Sequence, residues 1–422
     1  MIPALGKQLA VDGGTLTRTT AFPPWPYFAE DEIAAVVQVM GSGRVNYWTG
    51  DEGRAFEREF ADSSGCKHAV AVSSGTVALE LALRSLGVVG GDDIITSCRT
   101  FIASASSIVM CGARPIFADV DRNSQNISAD TIQAVLTPRT RAILVVHLAG
   151  WPCDMDPILE LGRERGLFII EDCAQAQGAM YKGRPVGSFG HAATFSFCQD
   201  KIMTTLGEGG VLTTSDSEVW RRAKAFRDHG RNPNMDSANS ALDAAFSGFR
   251  WVHESVGTNW RLTEVQSAVG RRQLRKAPGW IDKRRSHAQA MFESLSGMPA
   301  LRIPMPCASQ VQHSYYRFYA FVRPEELETG WHRDRILAAI NSEGIPCFAG
   351  SCGEVYLEKA LAAFGPAQRL PIARELAETS MAFLVHPTLT ETDIGHVCDA
   401  VRKVMSVATR RNRVETLCTS VK

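Results

Sequence analysis

The sequence predicts an α/β fold: a three-layer α/β/α large domain around a mostly parallel sheet, followed by a smaller C-terminal α+β domain. Three observations carry this. Short β-prone runs alternate with helix-patterned stretches from about residue 68 to about residue 215. Past that point the text turns helical and basic, and strand-like runs return only beyond about residue 300. The chain has 422 residues and is 45% hydrophobic, ample for a large core and too long for one compact domain.

The β-prone runs are His68–Val72, Asp93–Thr96, Pro115–Asp119, Ala142–His147, Leu167–Glu171, Ala193–Phe197 and Val211–Thr214. Helix-patterned segments separate them: Thr76–Leu86, Phe101–Met110, Ala129–Leu136 and Met155–Arg165. Such alternation builds parallel sheets, whose ligands collect at the carboxyl ends of the strands. Helices follow at Glu218–Asp228, Leu262–Leu274 and Pro278–Leu295, with a Ser/Asn/Ala-rich loop over Asn232–Ser247. The second unit reads as strand Tyr315–Val322, helix Asp334–Glu343 and strand Ile345–Phe348. The expected division is an N-terminal arm over 1–25, a large domain over 26–295 and a small domain over 296–422. The first ~20 and last ~15 residues are polar or poorly periodic and are expected to be loosely held.

Composition narrows the function. Lys+Arg and Asp+Glu are equal at 45 each, so no global charge favours nucleic acid or an anionic membrane. The longest apolar runs, such as Ala142–Leu148, are far too short to span a bilayer. Residues 1–20 lack the basic head and apolar middle of a signal peptide. Eleven cysteines are scattered with no Cys-x-x-Cys pair, which favours a reducing compartment and offers no zinc spacing. A cytoplasmic globular protein is expected.

Three strand ends carry unusual chemistry. In "AVAVSSGTVALELAL" a strand runs directly into Ser73-Ser74-Gly75-Thr76 and then a helix. Free N–H groups and the positive end of the helix suit a phosphate there; an ordinary N-cap reads the same way. In "LFIIEDCAQAQGA" Asp172 follows four apolar residues, where an unpaired carboxylate is costly and needs a partner. A capping aspartate is the plain alternative. In "ATFSFCQDKIMTTLGEGGVLTTS" Lys201 follows a buried strand and precedes a glycine cluster, at the same edge of the sheet. Desolvation there is expected to lower its pKa, as a Schiff-base lysine requires. A phosphate cradle, a carboxylate and a lysine together match pyridoxal 5'-phosphate, which has a phosphate to anchor, a ring nitrogen to keep protonated and an aldehyde to capture. Neither a P-loop nor a Gly-x-Gly-x-x-Gly fingerprint is present.

On these motifs, with "GDEGRAFEREFA", "RTFIASASSIVMCGARPIFADVD", "VVHLAGWPCDMDPI" and "GTNWRLTEVQSAVG" in order along the chain, the sequence resembles the DegT/StrS-type sugar aminotransferases of the fold type I, aspartate-aminotransferase-like pyridoxal-phosphate enzymes. The resemblance implies amino transfer from an amino acid, L-glutamate above all, to a ketone carbon of a nucleotide-activated sugar. It places Lys201 at the Schiff-base position and Asp172 against the pyridine nitrogen. Gln175 falls beside the ring and its 3-oxygen, Gly75, Thr76 and Ser196 at the phosphate, and Phe101 over the ring. Asn259 matches a residue that reaches the phosphate of the partner subunit's cofactor, which implies a homodimer with shared active sites.

Two departures stand out. Leu206 occupies a position where a small residue is expected before the Gly-Glu-Gly-Gly turn. Arg317 stands where many relatives carry histidine; it could bind a donor carboxylate or a nucleotide phosphate, or be a solvated strand residue. His147 is a further candidate pocket residue, with a satisfied structural histidine as the alternative. Arg44, among the aromatics of "SGRVNYWTGDEG", is a candidate for the nucleotide-sugar. Rival readings are a sugar dehydratase, whose branch of the family has histidine in place of the lysine, a cyclitol aminotransferase, and a catalytically idle regulatory protein of the same fold.

Overall fold

The computed structural model describes residues 8–233 and 253–410; the Asn232–Ser247 loop lies outside them from residue 234 onward, as does the tail beyond 410. Helices α1 (Glu30–Ser42) and α2 (Glu52–Ser64) precede the alternating region, which runs β1 (His68–Val72), α3 (Gly75–Ser85), β2 (Asp93–Ser97), α4 (Ala103–Met110), β3 (Arg114–Ala118), α5 (Ala129–Gln133), β4 (Thr140–Val146), α6 (Met155–Arg165) and β5 (Phe168–Asp172). Two short strands, β6 (Met180–Tyr181) and β7 (Arg184–Pro185), come before β8 (Ala192–Ser196) and β9 (Gly210–Thr214).

The main sheet has the order β1-β9-β8-β5-β4-β2-β3. Its five strands from β8 to β3 are parallel, and β9 runs antiparallel to both neighbours. The central strands are apolar at nearly every position because helices cover both faces; Val70, Ile94, Ile143, Leu144 and Ile170 have no exposed surface. Parallel pairing also brings the carboxyl ends of β4, β5 and β8 to one edge. Val146 sits beside Asp172, and Asp172 beside Thr194.

After α7 (Ser217–Arg227), capped by Asp216 accepting from the N–H groups of Glu218 and Val219, a single 32-residue helix α8 covers Glu264–Leu295. Two helices were expected here, broken at Pro278. One face of α8 is buried at Gln273, Ala277, Ile281, Arg284, Ala288, Met291 and Leu295, on both sides of the proline. Burial along that face outweighs the roughly 3 kcal/mol that an interior proline costs.

The remaining elements are β10 (Leu301–Arg302), β11 (Val311–Gln312), β12 (Phe318–Val322), α9 (Arg333–Ser342), β13 (Cys347–Phe348), α10 (Pro371–Thr379), β14 (Ser380–Phe383) and α11 (Glu391–Ala408). They form an antiparallel sheet of order β10-β12-β14-β13, while β11 pairs with β6. Strand β12 starts at Phe318 rather than Tyr315, because Tyr315 takes a left-handed backbone (φ 49°) that ends extended pairing. Residues 8–20 are held more firmly than their polarity suggests. Leu9 is buried in the second core, Glu343 accepts from the Ala10 and Thr17 N–H groups at 2.8 and 3.0 Å, and Arg18 pairs with Asp393 at 2.7 Å with both side chains buried. Among the described residues no helix is long and apolar enough to cross a membrane.

Candidate active site

A cavity of about 630 Å³ opens at the carboxyl ends of β4, β5 and β8 and is closed from the other side by residues of the second unit, among them Tyr316, Arg317 and Phe348. Its lining includes Gly75, Thr76, Phe101, Asp172, Gln175, Ser196, Lys201 and Arg317. Eight of the eleven expected site residues, distant in the text, thus face one space.

Asp172 ends β5 and is almost fully buried. Ser104 Oγ donates to its Oδ2 at 2.8 Å and the Ala174 N–H to its Oδ1 at 3.1 Å. Burial pushes the Asp172 carboxyl above its usual range, and these two bonds, with Lys201 nearby, only partly offset it. The group lacks a contacting cation, which a protonated ring nitrogen would supply.

The turn before α3 is built for an anion. Ser74 caps the helix, its side chain accepting from the Val77 N–H at 3.3 Å and its carbonyl from the Ala78 N–H. The N–H groups of Gly75 and Thr76 are left without an acceptor and line the cavity. Ser196, at the end of β8, closes in from the side: a Cβ at residue 75 would stand 2.6 Å from its Cβ. Only glycine lets the turn and the Ser196 hydroxyl address the same anion.

Lys201 is mostly buried, with its Nζ 3.4 Å from the Tyr316 hydroxyl and 3.4 Å from Asp200 Oδ1. Burial works against its charge, yet Tyr316 and Asp200 more than offset this and hold the ammonium above the usual lysine range. The expected lowering therefore does not occur in the protein alone; the sequence reading counted desolvation and missed the two neighbours. Tyr316 donates to Asp200 Oδ2. Although burial opposes its charge, Lys201, the Tyr316 hydroxyl and Arg317 keep Asp200 below the normal carboxyl range. Gln175 accepts from the Ala149 N–H at 2.8 Å and donates to Ser351 at 3.3 Å, which fixes its amide against the wall. Phe101 presents an exposed ring (63%) at the cavity.

Three expected residues are not brought in. His147 is fully buried beneath the site: its Nδ1 accepts from the Cys153 N–H at 2.9 Å, so Nε2 carries the proton and meets Glu171 at 3.1 Å. It is a structural histidine rather than a pocket residue. With Glu171 and Cys173 it forms a close His/Glu/Cys cluster, but Glu171 already accepts from the N–H groups of Gly187, Phe189 and Gly190, which leaves no lone pair aimed at an ion. Arg44 lies on an exposed loop, paired with Asp51 at 3.1 Å, away from the cavity. Asn259 is exposed, bridges to Asp228 through its backbone and does not reach the cavity of its own chain.

Sequence reasoning missed Ser104, Asp200 and Tyr316. Ser104 was legible in principle, since it lies three residues after Phe101 in a helical pattern and so shares its face. Asp200 precedes Lys201 directly, but nothing in the text shows that both face the same tyrosine. At Leu206 the backbone is left-handed (φ 61°), which explains why a small residue is expected there.

An anion-binding turn, a cation-seeking carboxylate and a buried lysine, set together at the strand ends of this sheet, fit pyridoxal 5'-phosphate and define a fold type I pyridoxal-phosphate-dependent transferase. Residues 26–402 match the DegT/DnrJ/EryC1/StrS aminotransferase family, and the chain belongs to it. It superposes on the aminotransferase from Psychrobacter cryohalolentis with a TM-score of 0.88 and 48% identity, over 91% of this chain and 99% of that one. The GDP-perosamine synthase of Caulobacter vibrioides is 35% identical over 364 residues, 85% of this chain and 92% of that protein. The dTDP-3-amino-3,4,6-trideoxy-alpha-D-glucose transaminase of Streptomyces venezuelae is 35% identical over 373 residues, 88% and 91% of the two chains.

Proposed function

We propose that this protein moves an amino group from an amino acid, L-glutamate above all, to a keto group of a nucleotide-activated sugar, acting as a cytoplasmic homodimer. The observation that carries the reading is the shared cavity of Lys201, Asp172 and the Ser74–Thr76 turn. The sugar-nucleotide names of the two curated relatives support the substrate class. Lys201 is where the dehydratase branch has histidine, so the residue supports transfer over dehydration.

When bound, pyridoxal 5'-phosphate supplies a carbonyl carbon that takes up the amino group and a ring that accepts an electron pair. The Gly75 and Thr76 N–H groups and the Ser196 hydroxyl hold its phosphate. Asp172 would keep a proton on the ring nitrogen, and Ser104 and Ala174 hold the carboxylate in place for that task. Phe101 and Gln175, which line the same cavity, would flank the cofactor's ring. In its neutral form Lys201 Nζ would take the α-proton of the donor and give it back; the Tyr316 hydroxyl and Asp200, both within 3.4 Å, would stabilise the ammonium in between. Asn259 serves the phosphate site of the partner, in line with its distance from its own cavity.

The test is product mass. The protein, loaded with cofactor and given L-glutamate and a panel of keto-sugar nucleotides, should yield an amino sugar and 2-oxoglutarate. Loss of water from a sugar without gain of nitrogen would assign the chain to dehydration.

A further inference from the structure

One corner of the cavity holds more positive charge than its own carboxylate neutralises. Arg317 lies with its guanidinium 4.5 Å over the Tyr316 ring and makes one long bond, Nη1 to the Tyr316 carbonyl at 3.4 Å. Its ion pair, Nη2 to Asp200 Oδ2, is loose at 3.6 Å, and the same carboxylate is shared with Lys201. Behind it on α8, Arg284 is fully buried and has no carboxylate partner among the described residues. Its Nη1 donates to the carbonyls of Tyr315 and Tyr316 at 3.3 and 3.4 Å and its guanidinium lies 5.3 Å over the Trp25 ring, while Nε and Nη2 have no hydrogen-bond partner among the described residues. Two cations thus share one aspartate, with a third buried behind them. Burial and Arg317 push Arg284 down to about 9. Burial, Arg284 and Arg317 push His386 to about 3, so its imidazole is neutral and the surplus stays on the arginines. A buried cation left this way is costly unless an anion arrives.

We infer that Arg317, with the potential of Arg284 behind it, seats the carboxylate of the amino-group donor. This rests on the aminotransferase reading above and adds to it the donor subsite. The choice of carboxylate over nucleotide phosphate follows from bond counting. Lys201 and Arg317 approach the two oxygens of a single aspartate, at 3.4 and 3.6 Å, so their charged ends share one corner of the cavity. The α-carboxylate of an amino acid is bonded directly to the carbon whose proton Lys201 takes. The diphosphate of a sugar nucleotide is separated from the ketone carbon by much of the sugar ring. A planar guanidinium with spare N–H groups accepts a carboxylate through two parallel bonds. Asp200, with half of its side chain exposed, is the partner that the donor displaces.

The experiment uses the cofactor-loaded protein and two kinds of probe. α-Methyl-L-glutamate has no α-proton, so its amine can replace the lysine on the cofactor but transfer stops there, and its binding is read by titrating the visible absorbance of the cofactor. UDP, GDP and dTDP, read by calorimetry, report the nucleotide site. Arg317→Gln should weaken α-methyl-L-glutamate about tenfold or more. It should also raise the half-saturating L-glutamate concentration in the first half-reaction to match, with the limiting rate within a few-fold. Nucleoside diphosphate binding should be unmoved. Arg317→Lys, which keeps the charge and loses the fork, should fall between, and guards against a fold effect of the glutamine. Amino-acid binding within twofold of wild type in both variants overturns the inference, as does a loss confined to nucleoside diphosphate, which would make the arginine a phosphate group's partner. A wild-type protein whose absorbance ignores every amino acid would instead bring down the aminotransferase reading, and the donor subsite with it.

Discussion

Removing the Ser104 hydroxyl tests the electrostatic logic of the site directly. Asp172 is held by two hydrogen bonds, Ser104 Oγ at 2.8 Å and the Ala174 N–H at 3.1 Å, against a burial that pushes its pKa up. A hydrogen bond to a charged group is worth about 1.5–3 kcal/mol, so Ser104→Ala should cost the ionised carboxylate roughly that much. Because the native pKa of Asp172 lies above the unfolded value of 3.8, the native state binds the extra proton between the two values, and stability falls as pH rises through that window. The lost bond matters for the charged form and little for the protonated one. The stability gap between Ser104→Ala and wild type should therefore be full above the raised native value and shrink on the approach to the unfolded value. Urea denaturation of both proteins without cofactor, at a neutral and an acidic pH, reads the gap. Loaded with cofactor, the variant should turn over about 10–100-fold more slowly, the same energy expressed as rate, and Ser104→Thr should stay close to wild type. A gap that does not change with pH, or grows in acid, would refute the account of how Asp172 is held.

Three further outcomes follow from the geometry. Arg227 is fully buried and pairs with Glu57 at 2.6 Å and Asp228 at 2.7 Å; Arg227→Met strands Glu57 and should cost about 3–5 kcal/mol, read as a lower urea midpoint with an unchanged slope. Gly75→Ala forces a Cβ to within 2.6 Å of the Ser196 Cβ; it should weaken cofactor binding at least about tenfold in a spectral titration and lower the stability of the cofactor-free protein by about 1–3 kcal/mol. Leu206 is 42% exposed with φ 61°, so Leu206→Gly should gain up to about 1 kcal/mol, and a lower melting temperature would mean that the side chain packs on something its exposure does not reveal.

Much of the first unit was legible because its signals are local. Runs such as "HAVAV" and "FIIED" are strands by composition and length, and they fall within a residue or two of their observed places. Helix α8 was misdivided because proline is a local signal, while the two-sided burial that overrides it is not. The fate of residues 8–20 was hidden for the same reason: Glu343, more than 300 residues later, satisfies their polar groups.

By itself the sequence determined the class of sheet, the motif order that marks the family, and the three chemical types (lysine, carboxylate, phosphate turn) set at strand ends, because each is written in a contiguous stretch. Tertiary structure alone decided which charges meet. It turned His147 inward to Glu171, left Arg44 on the surface, and gathered Asp200, Tyr316 and Arg317 around Lys201. Electrostatic interaction depends on distances of a few ångströms between groups that the chain separates by as many as 116 residues, and no local pattern encodes such a distance.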